Sequence, residues 1–186
     1  MDKFNTMRIV IIGTSCSGKT TLASKIAQLH GIHHIHLDSL HWLPHWQERS
    51  DEDFIRLTEK ALSEDESWVC DGNYSLVREI VWRDATHIIW LNYPFFLVLW
   101  RGLKRTCRRV FFHEEFVHGN YENFRHSFLS PDSILWWIIT THKRRQKTYP
   151  LLLAAEQQKR NVHVMIVHRP DQIEKFLPNF FASGES

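Results

Sequence analysis

The chain has 186 residues, which at about 150 residues per domain suits one domain with a modest elaboration. Its 23 Lys and Arg against 21 Asp and Glu leave a net charge of +2, so any contact with nucleic acid would need a local basic patch. With 43% hydrophobic and 13% aromatic residues the composition excludes a disordered or polybasic protein and supplies large side chains for core and pocket. Cys16, Cys70 and Cys107 stand far apart in sequence, which excludes a disulfide scaffold or a zinc ribbon and makes a reducing cytoplasm the expected compartment. The apolar run Ile9 to Ile12 is too short for a signal-peptide core, and Ile88 to Trp100 is broken by Asn92, Tyr93 and Pro94; no membrane span is expected.

Arg8 to Ile12 reads as a buried parallel strand running into a glycine-rich turn. A helix should follow from about Lys19 to Leu29, with Leu22, Ile26 and Leu29 on one face and Gly31 as its stop. His34 to Leu37 reads as a second strand ending at Asp38. Ser50, followed by Asp51, Glu52 and Asp53, is a capped helix start, and Phe54, Leu57, Ala61 and Leu62 form the buried face of that helix. Trp68 to Cys70 entering Asp71-Gly72, His87 to Leu91, and Val162 to Val167 complete five strands, and Arg169-Pro-Asp opens a terminal helix carrying Ile173, Phe176 and Leu177. Strands alternating with helices predict an α/β fold with a mainly parallel sheet and helices on both faces. About 70 residues separate the last two strands, more than one crossover helix needs, so a lid or helical insertion is expected at about 100–150 within a single domain. Ser130-Pro131-Asp132 reads as a helix start inside it.

The segment Gly13-Thr14-Ser15-Cys16-Ser17-Gly18-Lys19-Thr20 fits G-x-x-x-x-G-K-[ST], placed between a strand and a helix. Glycines let backbone amides curl round a phosphate, Lys19 brings a mobile positive charge to the transferred group, and Thr20, followed by Thr21 on the first helical turn, can ligate magnesium. ATP is the better nucleotide, because the guanine-reading N-K-x-D is absent. Asp71, delivered by a hydrophobic strand beside this loop, is the candidate second magnesium contact, although Asp71-Gly72 also suits a simple turn. Asp38 admits two readings of equal weight, orientation or deprotonation of a substrate hydroxyl and capping of a turn through Ser39.

These residues resemble the adenylate-kinase-like P-loop kinases, in the loop Gly13 to Thr20, in the strand end Leu37-Asp38 and in Asp71-Gly72-Asn73-Tyr74. More closely, Trp68 to Ser75, Ile88 to Pro94 and Trp100 to Arg109 are similar to a bacterial group described as DNA topology modulation, or FlaR-related, proteins, and that resemblance covers nearly the whole chain. It implies a P-loop NTPase fold with a five-stranded sheet in the order 2-3-1-4-5, a helical lid, and lid arginines after the fourth strand. The Pro-Arg that follows Asp-Gly in adenylate kinases is missing here, which sets AMP aside as the expected acceptor.

Between Phe95 and Val110, Phe96, Leu99, Leu103, Thr106, Cys107 and Val110 fall on one side of a helical projection and Arg101, Lys104, Arg105, Arg108 and Arg109 on the other. Arg105 and Arg109 are the choice for neutralising transferred phosphate; a solvated helix face, or contact with nucleic-acid phosphates aided by Lys143, Arg144, Arg145 and Lys147, are the alternatives. Arg78 follows Asp71-Gly72-Asn73-Tyr74 where related kinases bind the acceptor. Trp42 and Trp46 either stack on an acceptor or pack in the core. His34 and His36 can share one strand face, but without zinc-ligand spacing this is a weak metal signal. The expected activity is transfer of the γ-phosphoryl of Mg-ATP to a small hydroxyl-bearing or phosphorylated acceptor such as a nucleoside or nucleotide. The rival expectation is an ATP-dependent regulator of DNA topology.

Overall fold

The computed structural model describes residues 6–112, 115–121 and 133–180. The elements in chain order are β1 (Arg8–Gly13), α1 (Lys19–His30), β2 (His33–His36), α2 (Leu37–His41), a 3-10 turn (Pro44–Trp46), α3 (Asp51–Glu64), β3 (Trp68–Asp71), α4 (Arg78–Arg83), β4 (His87–Leu91), α5 (Phe95–Phe112), α6 (Ile134–Lys159), β5 (His163–Val167) and α7 (Pro170–Phe180). All five strands are parallel, in the order β2-β3-β1-β4-β5.

Side chains alternate across β1, and each face builds its own core. Val10 and Ile12 join Phe54 of α3, Val81 of α4, and Tyr149 and Leu153 of α6 on one side. Ile9 and Ile11 join Leu22 and Ile26 of α1, Val98 of α5, Ile138 of α6 and Leu177 of α7 on the other. The helix α6 therefore contributes to both layers, its first half to one core and its second half to the other. Local chemistry sets the helix ends: the Ser50 hydroxyl accepts from the Asp53 amide at 3.2 Å, a cap of about 1 kcal/mol, and Gly31 closes α1 at φ 63°.

Two expectations shift by a residue or so. The second strand stops at His36, and Leu37 and Asp38 open the short α2. The last strand begins at His163. The expected start at Ser130 to Asp132 lies outside the described residues; the helix seen there opens at Ile134, capped by the Ser133 hydroxyl, which accepts from the Trp136 amide at 3.2 Å.

The face of α5 is corrected. Its buried line is Val98, Gly102 and Thr106, while Phe96 is 80% exposed and Leu103 also faces outward. A Cβ on Gly102 would stand 2.7 Å from the Ile138 side chain, so the small residues are there to let α6 come close. Arg101, Arg105 and Arg109 flank that line half-buried, and Lys104 and Arg108 point outward.

Register fixes where chemistry can occur. Ile11 pairs with Asp71, His36 with Asp71, and Gly13 with Leu91. The carboxyl ends of β2 and β3 thus finish level, β1 runs two residues further to Gly13 beside the end of β4, and β1 lies between β3 and β4, where chain connections diverge to either side. In open α/β sheets that crevice is the ligand site.

Candidate functional site

Gly13 leaves β1 at φ 155°, and a Cβ there would lie 2.8 Å from Ser17 Oγ and 2.9 Å from the Leu91 carbonyl. Only glycine fits this close turn. Thr14 and Ser17 are buried, Cys16 and Gly18 take left-handed backbone angles, and Lys19 and Thr20 start α1. Consecutive amides at the positive end of a twelve-residue helix are an arrangement that can cradle a phosphate. Lys19 Nζ rests on the Thr14 carbonyl at 3.4 Å. Burial holds its ammonium below the usual lysine range, against the opposing pull of Asp38 and then Asp71.

Asp71, only 1% exposed, is the pivot. Thr20 Oγ1 donates to its Oδ2 at 2.7 Å, and His34 Nε2 donates to its Oδ1, also at 2.7 Å. The other ring nitrogen of His34 faces Ser24 Oγ of α1 at 3.3 Å. A hydroxyl and a carboxylate converging beside a phosphate cradle are the hard oxygen donors that Mg²⁺ prefers, so these residues fit that ion. Among the described residues no three His, Cys, Asp or Glu side chains converge on a common point.

Asp38 lies half-buried on the first turn of α2. Tyr74 Oη donates to its Oδ1 at 2.8 Å and His36 Nε2 lies 3.6 Å from its Oδ2. Burial opposes the charge, but the bonds from His36 and Tyr74 and the charges of His36 and Lys19 outweigh it and hold Asp38 below the usual carboxylate range. His36 is correspondingly raised, with desolvation outweighed by its bond to Asp38 and the charge of Asp71. Trp42 packs edge-on to His41 and Trp46, and the His41 ring lies 4.5 Å from that of Tyr74. A small cleft beside these groups is lined by Leu37, Gly72, Tyr74, Arg78, Trp82 and Tyr149.

Several contacts come from residues that sequence reasoning did not assign to the phosphate loop or the acceptor cleft. Asn73 clasps Gly13 with both ends of its amide, Oδ1 accepting from the Gly13 amide at 3.3 Å and Nδ2 donating to the Gly13 carbonyl. Arg101 Nη1 donates to the Ser17 carbonyl at 3.1 Å with its guanidinium over the Tyr93 ring. His142 of α6 faces Thr14 Oγ1 at 3.3 Å. Arg145 is buried within a run whose other members, Lys143, Arg144 and Lys147, are exposed. Of the two arginines singled out, Arg105 is half-buried with Nε lacking a hydrogen-bond partner, and Arg109 lies over the Phe116 ring at 4.8 Å. The segment 115–121 docks on the loop after α2: the Trp46 amide donates to Asn120 Oδ1 at 2.8 Å, Asn120 Nδ2 donates to the Leu43 carbonyl at 2.9 Å, and Phe116 stacks on Trp46.

Comparison with solved structures places this arrangement. A shikimate kinase from Acinetobacter baumannii, in complex with shikimate, superposes with a TM-score of 0.59 over 98% of each chain at 16% identity. An unliganded sugar kinase from Janibacter sp. HTCC2649 superposes with a TM-score of 0.52 over 95% of each chain at 15% identity. This chain has the P-loop kinase fold. Its five parallel strands follow the order 2-3-1-4-5 of that P-loop NTPase architecture. No protein-family model and no curated protein sequence matches it. Within the P-loop kinase fold, β1 and α1 carry the phosphate loop, β3 delivers Asp71, and α2 delivers Asp38 to the same end of the sheet. No helix among the described residues is long and apolar enough to cross a membrane.

Proposed function

We propose that this protein is a small-molecule kinase that moves the γ-phosphoryl group of ATP to an acceptor hydroxyl. The observation that carries the reading is the convergence of three chemically distinct groups at one sheet edge: the phosphate loop with Lys19, the Thr20 and Asp71 pair at 2.7 Å, and the ionised Asp38 held by Tyr74 and His36. Phosphoryl transfer asks a protein mainly for positioning and for charge compensation, and each group does one of these.

The amides from Gly13 to Gly18 bind the β-phosphate and Lys19 bridges β and γ. Its lowered proton affinity reflects an ammonium buried where a polyphosphate would complete its neutralisation. Thr20 and Asp71 are the residues that would hold magnesium, which supplies charge neutralisation on the phosphates when bound. Asp38 accepts a hydrogen bond from the acceptor hydroxyl and takes its proton as the new bond to phosphorus forms; the leaving group is ADP. Arg78 lines the acceptor cleft, and Trp42 packs on His41, whose ring meets that of the lining residue Tyr74. Arg105 and Arg109 stand one and two helical turns beyond Arg101 on α5 and bring positive charge toward the transferred group, with the segment at about 100–150 serving as the lid that excludes water. A nucleoside or nucleotide is one acceptor class compatible with the aromatic side chains around Trp42.

The test is ADP release from Mg-ATP across a panel of nucleosides, nucleoside monophosphates, sugars and hydroxy acids, with Lys19→Ala as the control. Stimulation by a member of the panel that disappears in the Lys19 variant supports the kinase. Uniform basal turnover, unchanged by every acceptor and by Lys19→Ala, refutes it.

A further inference from the structure

Two arginines, Arg78 lining the cleft and Arg145 one turn before its lining residue Tyr149 on α6, have no opposite charge beside them among the described residues. Arg145 is 8% exposed, and its Nη1 has no hydrogen-bond partner. The guanidinium lies over the Trp137 ring at 5.8 Å, and Tyr149 stands one turn along α6. Arg78 enters the same cleft from α4, with only the face of Trp82 beneath it at 5.9 Å. Among the described residues neither arginine has a carboxylate within 4 Å. The charges of Lys19 and Arg78 both reach Arg145 and repel it. Asp38 does not supply the missing charge, since it lies within 4 Å of neither guanidinium; its neighbours are Tyr74 Oη at 2.8 Å and His36 Nε2 at 3.6 Å.

A buried guanidinium with an orphaned N–H is costly unless a partner arrives. The partner has to be an anion, because a guanidinium has five donors and no acceptor. The place of Arg145 on α6 lies between two sites, with His142, three residues earlier, facing Thr14 of the phosphate loop and Tyr149, four residues later, lining the cleft. The phosphate loop has its own cations, Lys19 and the Arg101 guanidinium on Ser17, whereas Tyr149 lines the cleft with Gly72, Tyr74, Arg78 and Trp82 on the side of β3 and α4.

We propose that the acceptor is anionic, carrying a carboxylate or phosphate group that seats between Arg78 and Arg145 while its hydroxyl is presented to Asp38. This rests on the kinase reading above and narrows it: uncharged sugars and nucleosides leave Arg145 unpaired and are poor acceptors, and hydroxy acids or phosphorylated hydroxyl compounds are good ones. Arg guanidinium forks match both oxyanions bidentately.

The experiment is a titration of inorganic phosphate, and separately of acetate, into protein saturated with magnesium and a non-hydrolysable ATP analogue so that the phosphate loop is filled. Binding is followed by tryptophan fluorescence, Trp82 lining the same cleft. The expected result is saturable binding of at least one of the two anions, weakened tenfold or more in Arg145→Met and in Arg78→Met, with the affinity for the nucleotide analogue changed less than threefold. Preference for phosphate or for acetate tells a phosphorylated acceptor from a carboxylic acid. Absence of binding in the wild type, or equal affinity in wild type and both variants, overturns the proposal, as does a tenfold loss of nucleotide affinity in Arg145→Met, which would assign that arginine to the triphosphate. If the analogue itself does not bind, the kinase reading fails separately, and phosphate titrated into the nucleotide-free protein still reports on Arg78 and Arg145. Circular dichroism of both variants checks the fold, and Arg78, half-exposed on a short surface helix, keeps the test decisive if Arg145→Met unfolds.

Discussion

Asp71→Asn separates the structural work of the pivot residue from its chemical work. In the wild type two hydrogen bonds, each 2.7 Å, reach a buried carboxylate from Thr20 and His34. An asparagine keeps the shape. Its Oδ1 can accept from His34 Nε2 and its Nδ2 can donate to Thr20 Oγ1, so both contacts survive as neutral bonds. Charge-assisted bonds contribute about 1.5–3 kcal/mol each against about 0.5–1.5 for neutral ones; two bonds therefore weaken by roughly 2 kcal/mol in total. Relief from burying the carboxylate offsets part of this, which leaves a net loss of about 1–2 kcal/mol. For a protein of this size that is a fall in Tm of about 2–8 °C. The effect on chemistry is of another order: removing the carboxylate charge beside Thr20 forfeits several kcal/mol of phosphate-charge neutralisation, a loss of about a hundredfold or more in turnover. The assay is thermal unfolding by circular dichroism beside ADP release measured across a magnesium titration. A folded Asp71→Asn protein with unchanged turnover and unchanged magnesium dependence refutes the assignment.

Four further outcomes follow from the same geometry. Asn73→Ala removes both bonds to Gly13 and leaves the first residue of the phosphate loop untethered, so ATP affinity should fall about tenfold with a stability loss of about 1–2 kcal/mol; equilibrium binding of an ATP analogue checks it. Gly72→Ala places a Cβ 2.7 Å from Leu37 Cβ at φ 147°, and should cost about 2–4 kcal/mol, read as a lowered urea midpoint. Because His36 and Tyr74 keep Asp38 ionised below the usual carboxylate range, its share of stability is present above about pH 4 and lost as pH falls through the lower folded value, and the acid limb of turnover should move toward neutral pH in Tyr74→Phe. Burial, then the neighbouring His163, hold His87 neutral, with its pKa lowered to about 4; its contribution is full above about pH 6.5 and is lost on going down toward pH 4. Between pH 7 and pH 5.5 the wild type should lose roughly 1 kcal/mol more than His87→Gln, measured by denaturant unfolding at both pH values.

Much of the fold was legible because single segments carry it. The β-branched run Arg8 to Ile12, the glycine-framed loop after it, and strands ending in Asp71 and Leu91 each state their own conformation, and their alternation with helices dictates a parallel sheet. The face of α5 was not legible. Its pattern has one apolar and one cationic side, but the core takes the line Val98, Gly102 and Thr106, because α6 needs small residues to approach and because arginines can lie along a helix with their stems covered. For the candidate site, the phosphate loop and the acids at the strand ends announce themselves by spacing. The residues arriving from afar do not: nothing local distinguishes Arg145 from Lys143 or Arg144, and only the packing of α6 across the sheet turns it inward. His34 likewise looks like one of many histidines until the pairing of β2 with β3 sets it against Asp71. Asn73 had the nearest thing to a signal, as a side chain with donor and acceptor directly after Asp71-Gly72.

Phosphoryl transfer is tested most directly by product detection with mass spectrometry after incubation with Mg-ATP and the best acceptor of the panel. One phosphorylated acceptor is expected for each ADP, with neither formed by Lys19→Ala. ADP accompanied by an equal amount of free phosphate, with the acceptor recovered unmodified, would contradict it.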